Sequence, residues 1–193
     1  HRLAHIELDL PSGAAGMPGV IIPRKTVHEL HRLLEDGGTE VRIGISPAKV
    51  RFEIGPITLT SKLIDGRFPD YQRVMPSGDP ELISAERVVL QQALTRTSIL
   101  SNEKYRGIRF RLSQNLLQLQ AHNPEQEEAE EEVEVGYGGE PVTIGFNVGY
   151  LLDVLNVIEG DSVTIAVTDA NSSALITPGG EETPKYVVMP MRL

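Results

Sequence analysis

Three times along this chain an amphipathic helix is followed by three short strands of alternating polarity, and that recurrence restricts the possible fold more than any other feature. The first helix is "PRKTVHELHRLLED", with Pro23 in the first turn and Gly37-Gly38 as its stop; "EVRIGIS", "KVRFEIG" and "ITLTSKLI" follow. The second runs from about Glu86 to Leu100 with Ser84 as its expected cap, before "YRGIRFRLS", "LLQLQAHN" and "EAEEEVEVGY". The third, "NVGYLLDVLNVI", is capped by Asn147, ended by Gly160, and leads into "SVTIAVTD", "SSALIT" and "KYVVMPMR". The end of helix one, "LEDGGTEVRIGIS", and that of helix three, "IEGDSVTIAVT", share one pattern of helix end, glycine and alternating strand. The expected class is therefore α+β, built from repeated helix-plus-three-strand units; if two units make a domain, one of the three is left over.

Units two and three abut, whereas "DGRFPDYQRVMPSGDPE" separates them from unit one and reads as a connector. The expected organisation is a half-domain over 1–66, a connector and the start of the next domain over 67–83, and a domain over 84–193. Unit one would then lack a partner, and the abrupt opening "HRLA" reads as that of a fragment.

On a helical wheel Val27, Leu30, Leu33 and Leu34 share one face of the first helix, while Arg24, Lys25, His28, His31, Arg32 and Glu35 share the other. That second face is either a plain solvated surface or a basic stripe able to follow phosphates without reading bases. The second helix is expected to bury Val89, Leu90, Ala93, Leu94, Thr97 and Leu100, leaving Ile99 on the far side with Arg96 nearby. An isolated exposed isoleucine needs no explanation, but beside an acidic strand it also suits a subunit contact. The third helix is apolar nearly all round, which implies deep burial, with Tyr150 a candidate pocket wall.

The formal net charge of −9 is concentrated. Residues 123–140 contribute −8, so the rest of the chain can still present a basic face. The acidic run "EQEEAEEEVEV" alternates as a strand, and is either a guarded edge or a charge-complementary interface. There is no cysteine, which excludes disulfides, thiolate metal ligation and a cysteine nucleophile. Aromatic residues make up 5 %, with no tryptophan, which argues against base-stacking capture of single strands. No apolar run approaches a membrane span, and a cytoplasmic protein is expected.

Catalytic patterns are missing. "HELH" at 28–31 lacks metalloprotease spacing, and "GYGGE" lacks the lysine and helix of a phosphate loop. The carboxylates crowd one strand rather than forming an isolated acid–base pair. No enzyme activity, cofactor or metal is expected, which leaves binding or scaffolding. The tail "PKYVVMPMRL" keeps Val187, Val188, Met189 and Met191 close to the last residue, so it either completes a core or lines a groove.

At "DGRFPDYQRVMP", "SNEKYRGIRF", "NPEQEEAEEE", "IGFNVGYLLDVLN" and "YVVMPMRL" the chain closely resembles the bacterial DNA sliding clamps, the beta subunits of the replicative DNA polymerase III. The likeness spans the chain and covers the second half of the family's middle domain and all of its C-terminal domain; the short Thr-Asp-Gly run that precedes "HRLA" in the family is absent. It implies the sliding-clamp fold, with helices inside a ring and sheets outside, and a non-catalytic processivity factor that encircles duplex DNA. The resemblance gives Arg24, Lys25, Arg32 and Arg96 a role on duplex phosphates. It assigns Ile99, Leu100, Glu127, Glu128, Glu130 and Glu131 to the contact that closes a homodimer in full-length clamps. It also implies a groove for linear peptides of polymerase subunits, clamp loaders and repair proteins. The matching positions are Leu3, Pro69, Arg73, Val74, Asn147, Tyr150, Asn171, Ser173, Val187, Met189, Pro190, Met191 and Arg192. A non-catalytic repeat scaffold that binds peptides without encircling DNA is the alternative.

Overall fold

The computed structural model describes residues 1–34, 40–76 and 78–192. The expected helix stop at Gly37-Gly38 and the residues Glu35, Ser77 and Leu193 lie outside them. Two compact units are present, one formed by Asp9–Pro69 and the other by His1–Leu8 together with Asp70–Leu193.

In the Asp9–Pro69 unit, helix α1 (Arg24–Leu33) packs on an antiparallel sheet whose strands are β2 (Val41–Ile45), β3 (Lys49–Ile54) and β4 (Ile57–Lys62). Strand β1, which precedes them in the chain, is Arg2–His5 and belongs to the other unit. Val50, Phe52, Ile54 and Leu63 form the small core, with Leu30 and Leu33 against it. The inward face of α1 differs from the wheel's assignment: Thr26 is buried and Val27 is 51 % exposed. The Thr26 hydroxyl is 2.6 Å from that of Ser61 on β4, a partner that makes burying a threonine tolerable. Arg24, Lys25, His28, His31 and Arg32 are all exposed.

The larger unit contains strands the periodicity did not single out. A single 3₁₀ turn (Tyr71–Val74) leads to β5 (Glu81–Glu86), which runs directly into helix α2 (Arg87–Ser98). Then come β6 (Gly107–Ser113), β7 (Leu116–His122) and β8 (Glu128–Glu134). In the same way β9 (Val142–Asn147) runs into α3 (Val148–Leu155), followed by β10 (Ser162–Val167), β11 (Ala174–Pro178) and β12 (Lys185–Val188). Each repeat is thus a strand, a helix and three strands.

The leading strands are exchanged. One sheet has the order β8-β7-β6-β9 and the other β1-β12-β11-β10-β5, so each repeat's first strand completes its neighbour's sheet. The junctions repeat too: the Arg87 N–H donates to the Asp161 carbonyl and the Val148 N–H to the Arg106 carbonyl, both at 2.8 Å. Neither repeat closes its sheet alone, which makes the pair the folding unit. The two inner faces supply one core, centred on Ile83, Leu94, Phe110, Leu119, Phe146, Leu151 and Ile165, with α2 and α3 packed over it.

Local capping follows the sequence at one helix and departs from it at the other. The Asn147 side chain accepts from the Tyr150 N–H at 3.3 Å and caps α3, as its amide suggests. Ser84 does not cap α2. It lies within β5, where its backbone pairs with Gly136, and Glu86 precedes the helix without a side-chain cap. Instead Arg87 donates from Nε to the Gly160 carbonyl at 2.6 Å, joining the start of α2 to the segment after α3. Leu90, Ala93, Leu94 and Thr97 are buried as expected, but Val89 is 41 % exposed.

One close approach has a measurable consequence. A Cβ on Gly179 would lie 2.8 Å from the Ser162 Cβ and 1.9 Å from its Oγ, and the Gly179 N–H already donates to the Ser162 carbonyl. Gly179→Ala is expected to destabilise this unit by about 1–3 kcal/mol in urea denaturation. The loss should be smaller in a Ser162→Gly background, and equal losses in both backgrounds would place the strain elsewhere.

Candidate functional site

The tail crosses the seam between the two sheets. Beyond β12 the Met189 N–H donates to the His1 carbonyl at 2.9 Å, and the Met191 N–H donates to the Gly145 carbonyl of β9 at 2.8 Å. These two bonds hold the Met189-Pro190-Met191 run over the start of α3, where it forms one wall of a cavity of about 270 Å³. Asn147 and Tyr150 form the facing wall, and His1, Lys104 and Tyr105, which no sequence pattern singles out, complete it.

The walls are held by polar contacts that leave the apolar surfaces free. The Asn147 Nδ2 donates to the Tyr105 carbonyl at 3.0 Å, so the residue that caps α3 also fixes the opposite loop. The guanidinium of Arg2 lies 4.3 Å from the Tyr150 ring centroid, and its Nε is 3.1 Å from Asp153. The tyrosine is thereby held while still facing the cavity. Two methionines and a tyrosine give a surface that adapts to an inserted aliphatic or aromatic side chain.

The remaining positions expected in the groove are distributed as follows. Leu3 is half-buried opposite Val187 in the β1–β12 pairing, but Val187 is itself buried, 1 % exposed, and offers no accessible wall. Ser173 sits one residue before the Ala174–Val188 pair, and Asn171 is exposed in the preceding turn, where its N–H donates to Asp169 at 2.7 Å. That turn holds the Asp169 carboxyl below its usual range, chiefly through the Ser172 hydroxyl. Arg73 and Val74 lie on the 3₁₀ turn; Arg73 Nε is 3.1 Å from Asp70, and β1 approaches this turn through His5, stacked on Tyr71 at 4.8 Å. Pro69 belongs to the Asp9–Pro69 unit, and Arg192 is exposed beside Met191.

The acidic strand separates into two faces. Glu128, Glu130, Glu132 and Glu134 point outward, whereas Glu131 shares the inner face with Ala129 and Val133. Glu128 and Glu130 accept from Gln120 and Gln118 of β7, and Glu127 accepts from the Asn123 amide at 2.7 Å. Glu131 accepts from Arg96 Nε at 2.6 Å and from Arg96 Nη2 at 2.7 Å. The hydrogen bonds with Arg96 hold the Glu131 carboxyl below its ordinary range and raise the Arg96 guanidinium in turn. A residue expected on DNA and one expected at a dimer contact therefore satisfy each other across α2 and β8. Ile99, just past α2, is 76 % exposed, Leu100 is half-buried, and β8 is the outer strand of its sheet.

The sign of this pair's pH dependence follows from the depressed carboxyl. Its contribution is present above the ordinary glutamate range and is lost as pH falls through the lowered value. The Tm difference between the parent chain and Glu131→Gln is expected to be largest near neutrality and to close in acid. A difference that persists in acid would mean the substitution acts through packing.

Two repeats that exchange strands beneath a pair of helices are the architecture of the sliding clamps, whose solved structures superpose on this one. The C-terminal domain model of the DNA polymerase III beta subunit matches residues 72–192, and the central domain model matches residues 1–70. The chain belongs to the DNA polymerase III beta-subunit family. It is 52 % identical over 193 residues to the beta sliding clamp of Pseudomonas aeruginosa, covering 100 % of this chain and 53 % of that one. A crystal structure of the Pseudomonas aeruginosa clamp bound to griselimycin superposes with a TM-score of 0.91 at 52 % identity, covering 100 % of this chain and 52 % of that one. The Caulobacter crescentus beta structure gives 0.95 at 44 % identity, covering 100 % and 52 %. The chain thus spans about half the length of the relatives it matches. Among the described residues no helix is long and apolar enough to cross a membrane, and no cluster suited to a metal ion is present.

Proposed function

We propose that this chain is the peptide-binding part of a DNA polymerase processivity factor, a non-catalytic cytoplasmic sliding clamp that in full-length form closes as a homodimer around duplex DNA. The observation that carries this reading is the preformed cavity under the Met-Pro-Met tail, in a chain of this family. Polymerase subunits, clamp loader and repair proteins would insert short linear motifs there, the inserted side chain meeting Tyr150 and the methionines. That a clamp 52 % identical to this chain binds griselimycin supports the reading. The exposed Arg24, Lys25 and Arg32 of α1 suit sequence-independent phosphate contacts. Arg96 is held by Glu131 and would act less directly. Ile99 and the outer edge of β8 suit the subunit contact, since an edge strand offers unpaired backbone groups to a partner sheet.

The test is fluorescence anisotropy of a labelled peptide carrying Gln, two spacer residues and a terminal Leu-Phe, titrated with this chain and with a version lacking Met191–Leu193. Saturable binding that disappears on truncation supports the groove. Equal binding by both forms would place the site elsewhere.

A further inference from the structure

A second cavity, of about 390 Å³, adjoins the first and shares Tyr105 and Met191 with it. Its own lining is Asn102, Gly107, His122, Asn123, Pro124 and Arg192. Both of its sides are braced. The Asn102 side chain accepts from the Tyr105 N–H at 3.0 Å, and the Tyr105 carbonyl is held by Asn147, which leaves the ring exposed on a fixed backbone. Opposite, the Asn123 side chain accepts from the Glu127 N–H at 2.9 Å, and the Asn123 N–H donates to the Glu127 carbonyl at 3.1 Å, which clamps the turn carrying Pro124. The cavity is thus preformed, and its size suits one large side chain.

We propose that this second cavity takes an aliphatic or aromatic side chain from the residues flanking the motif, on the same peptide whose anchor fills the first. This inference rests on the peptide-groove reading above. Continuity identifies the occupant, because Tyr105 and Met191 line both cavities. An extended peptide advances about 3.3 Å per residue, so a few residues beyond the anchor reach across. Tyr105, Met191 and Pro124 offer the apolar contact, while Asn102, His122 and Arg192 offer polar groups to the peptide backbone. Partners sharing one anchor would then differ in affinity through their flanks.

The experiment uses this chain and three kinds of labelled peptide: the core motif, the motif extended by four residues with one Trp at either end, and matched extensions of Gly and Ser. The expected result is that one Trp extension binds about five- to tenfold more tightly than its control. His122→Trp should abolish that gain and leave core affinity unchanged, since His122 is exposed at the end of β7 and its replacement fills only the second cavity. A photo-crosslinker at the Trp position should label the segment containing His122 and Pro124. Core binding with no gain from either extension overturns the inference and leaves the groove intact. So does a gain that survives His122→Trp, with crosslinks elsewhere. Self-association of the chain that His122→Trp abolishes would assign the cavity to a second copy and overturn it as well. Failure of every peptide to bind removes the groove reading and this inference together.

Discussion

Phe146→Ala is expected to remove about 3–5 kcal/mol from the stability of the unit formed by His1–Leu8 and Asp70–Leu193. Phe146 is 1 % exposed, and its ring meets that of Phe110 edge-on, with centroids 5.2 Å apart and planes at 73°. The two rings sit on paired strands, Phe146 opposite Ile108 on β6 and Phe110 opposite Ile144 on β9. Truncation would lose transfer energy and the edge-to-face contact, and would leave a cavity in a core that two helices and two sheets hold in place. The position matters as much as the volume. β9 is the strand that one repeat lends to the other, so loosening it weakens both. Urea denaturation followed by far-ultraviolet circular dichroism measures the loss, with Phe146→Leu as a milder control. A loss below about 1 kcal/mol would show that the site collapses freely and that the exchanged strand is not central to stability.

Met191→Asp is expected to weaken binding of the Gln-x-x-Leu-Phe peptide on the order of 100-fold while leaving the fold in place. Its side chain lines both cavities, so a carboxylate there must lose water when an apolar residue enters. The backbone is spared, because the Met191 N–H bond to Gly145 does not depend on the side chain. The half-buried side chain belongs to none of the residues that form the core. Unchanged peptide affinity with unchanged Tm would exclude the tail as a groove wall. A large fall in Tm would instead make the tail part of the folding core.

Much of the fold was legible in short stretches. The period of "KVRFEIG" and "YRGIRFRLS" identifies strands, and Asn147 before an apolar run identifies a capped helix, because backbone geometry and capping act over a few residues. Strands β5 and β9 could have been found the same way: Ile83 and Ala85, and Ile144 and Phe146, alternate with outward residues. Each runs into its helix without a turn, so its alternation merges with the helical pattern that follows. Val27 and Val89 depart from the wheel for a different reason. A wheel gives the direction of each side chain, but a neighbouring element decides which apolar direction is covered, and Ser61 drew Thr26 inward instead.

By itself, the sequence determined the three helices, the strands that follow each, their order, the single acidic block and the apolar tail, together with the likeness that names the family. Those are local patterns, set by backbone hydrogen bonding and side-chain alternation within a few residues. The tertiary structure alone decided the exchange of β5 and β9, the bridging of two sheets by the Met-Pro-Met run, and the capture of Arg96 by Glu131. It also brought His1, Lys104 and Tyr105 to the groove. Each of these joins residues far apart in the chain, and short-range pattern carries no information about which distant partner a strand edge, a carbonyl or a guanidinium will meet.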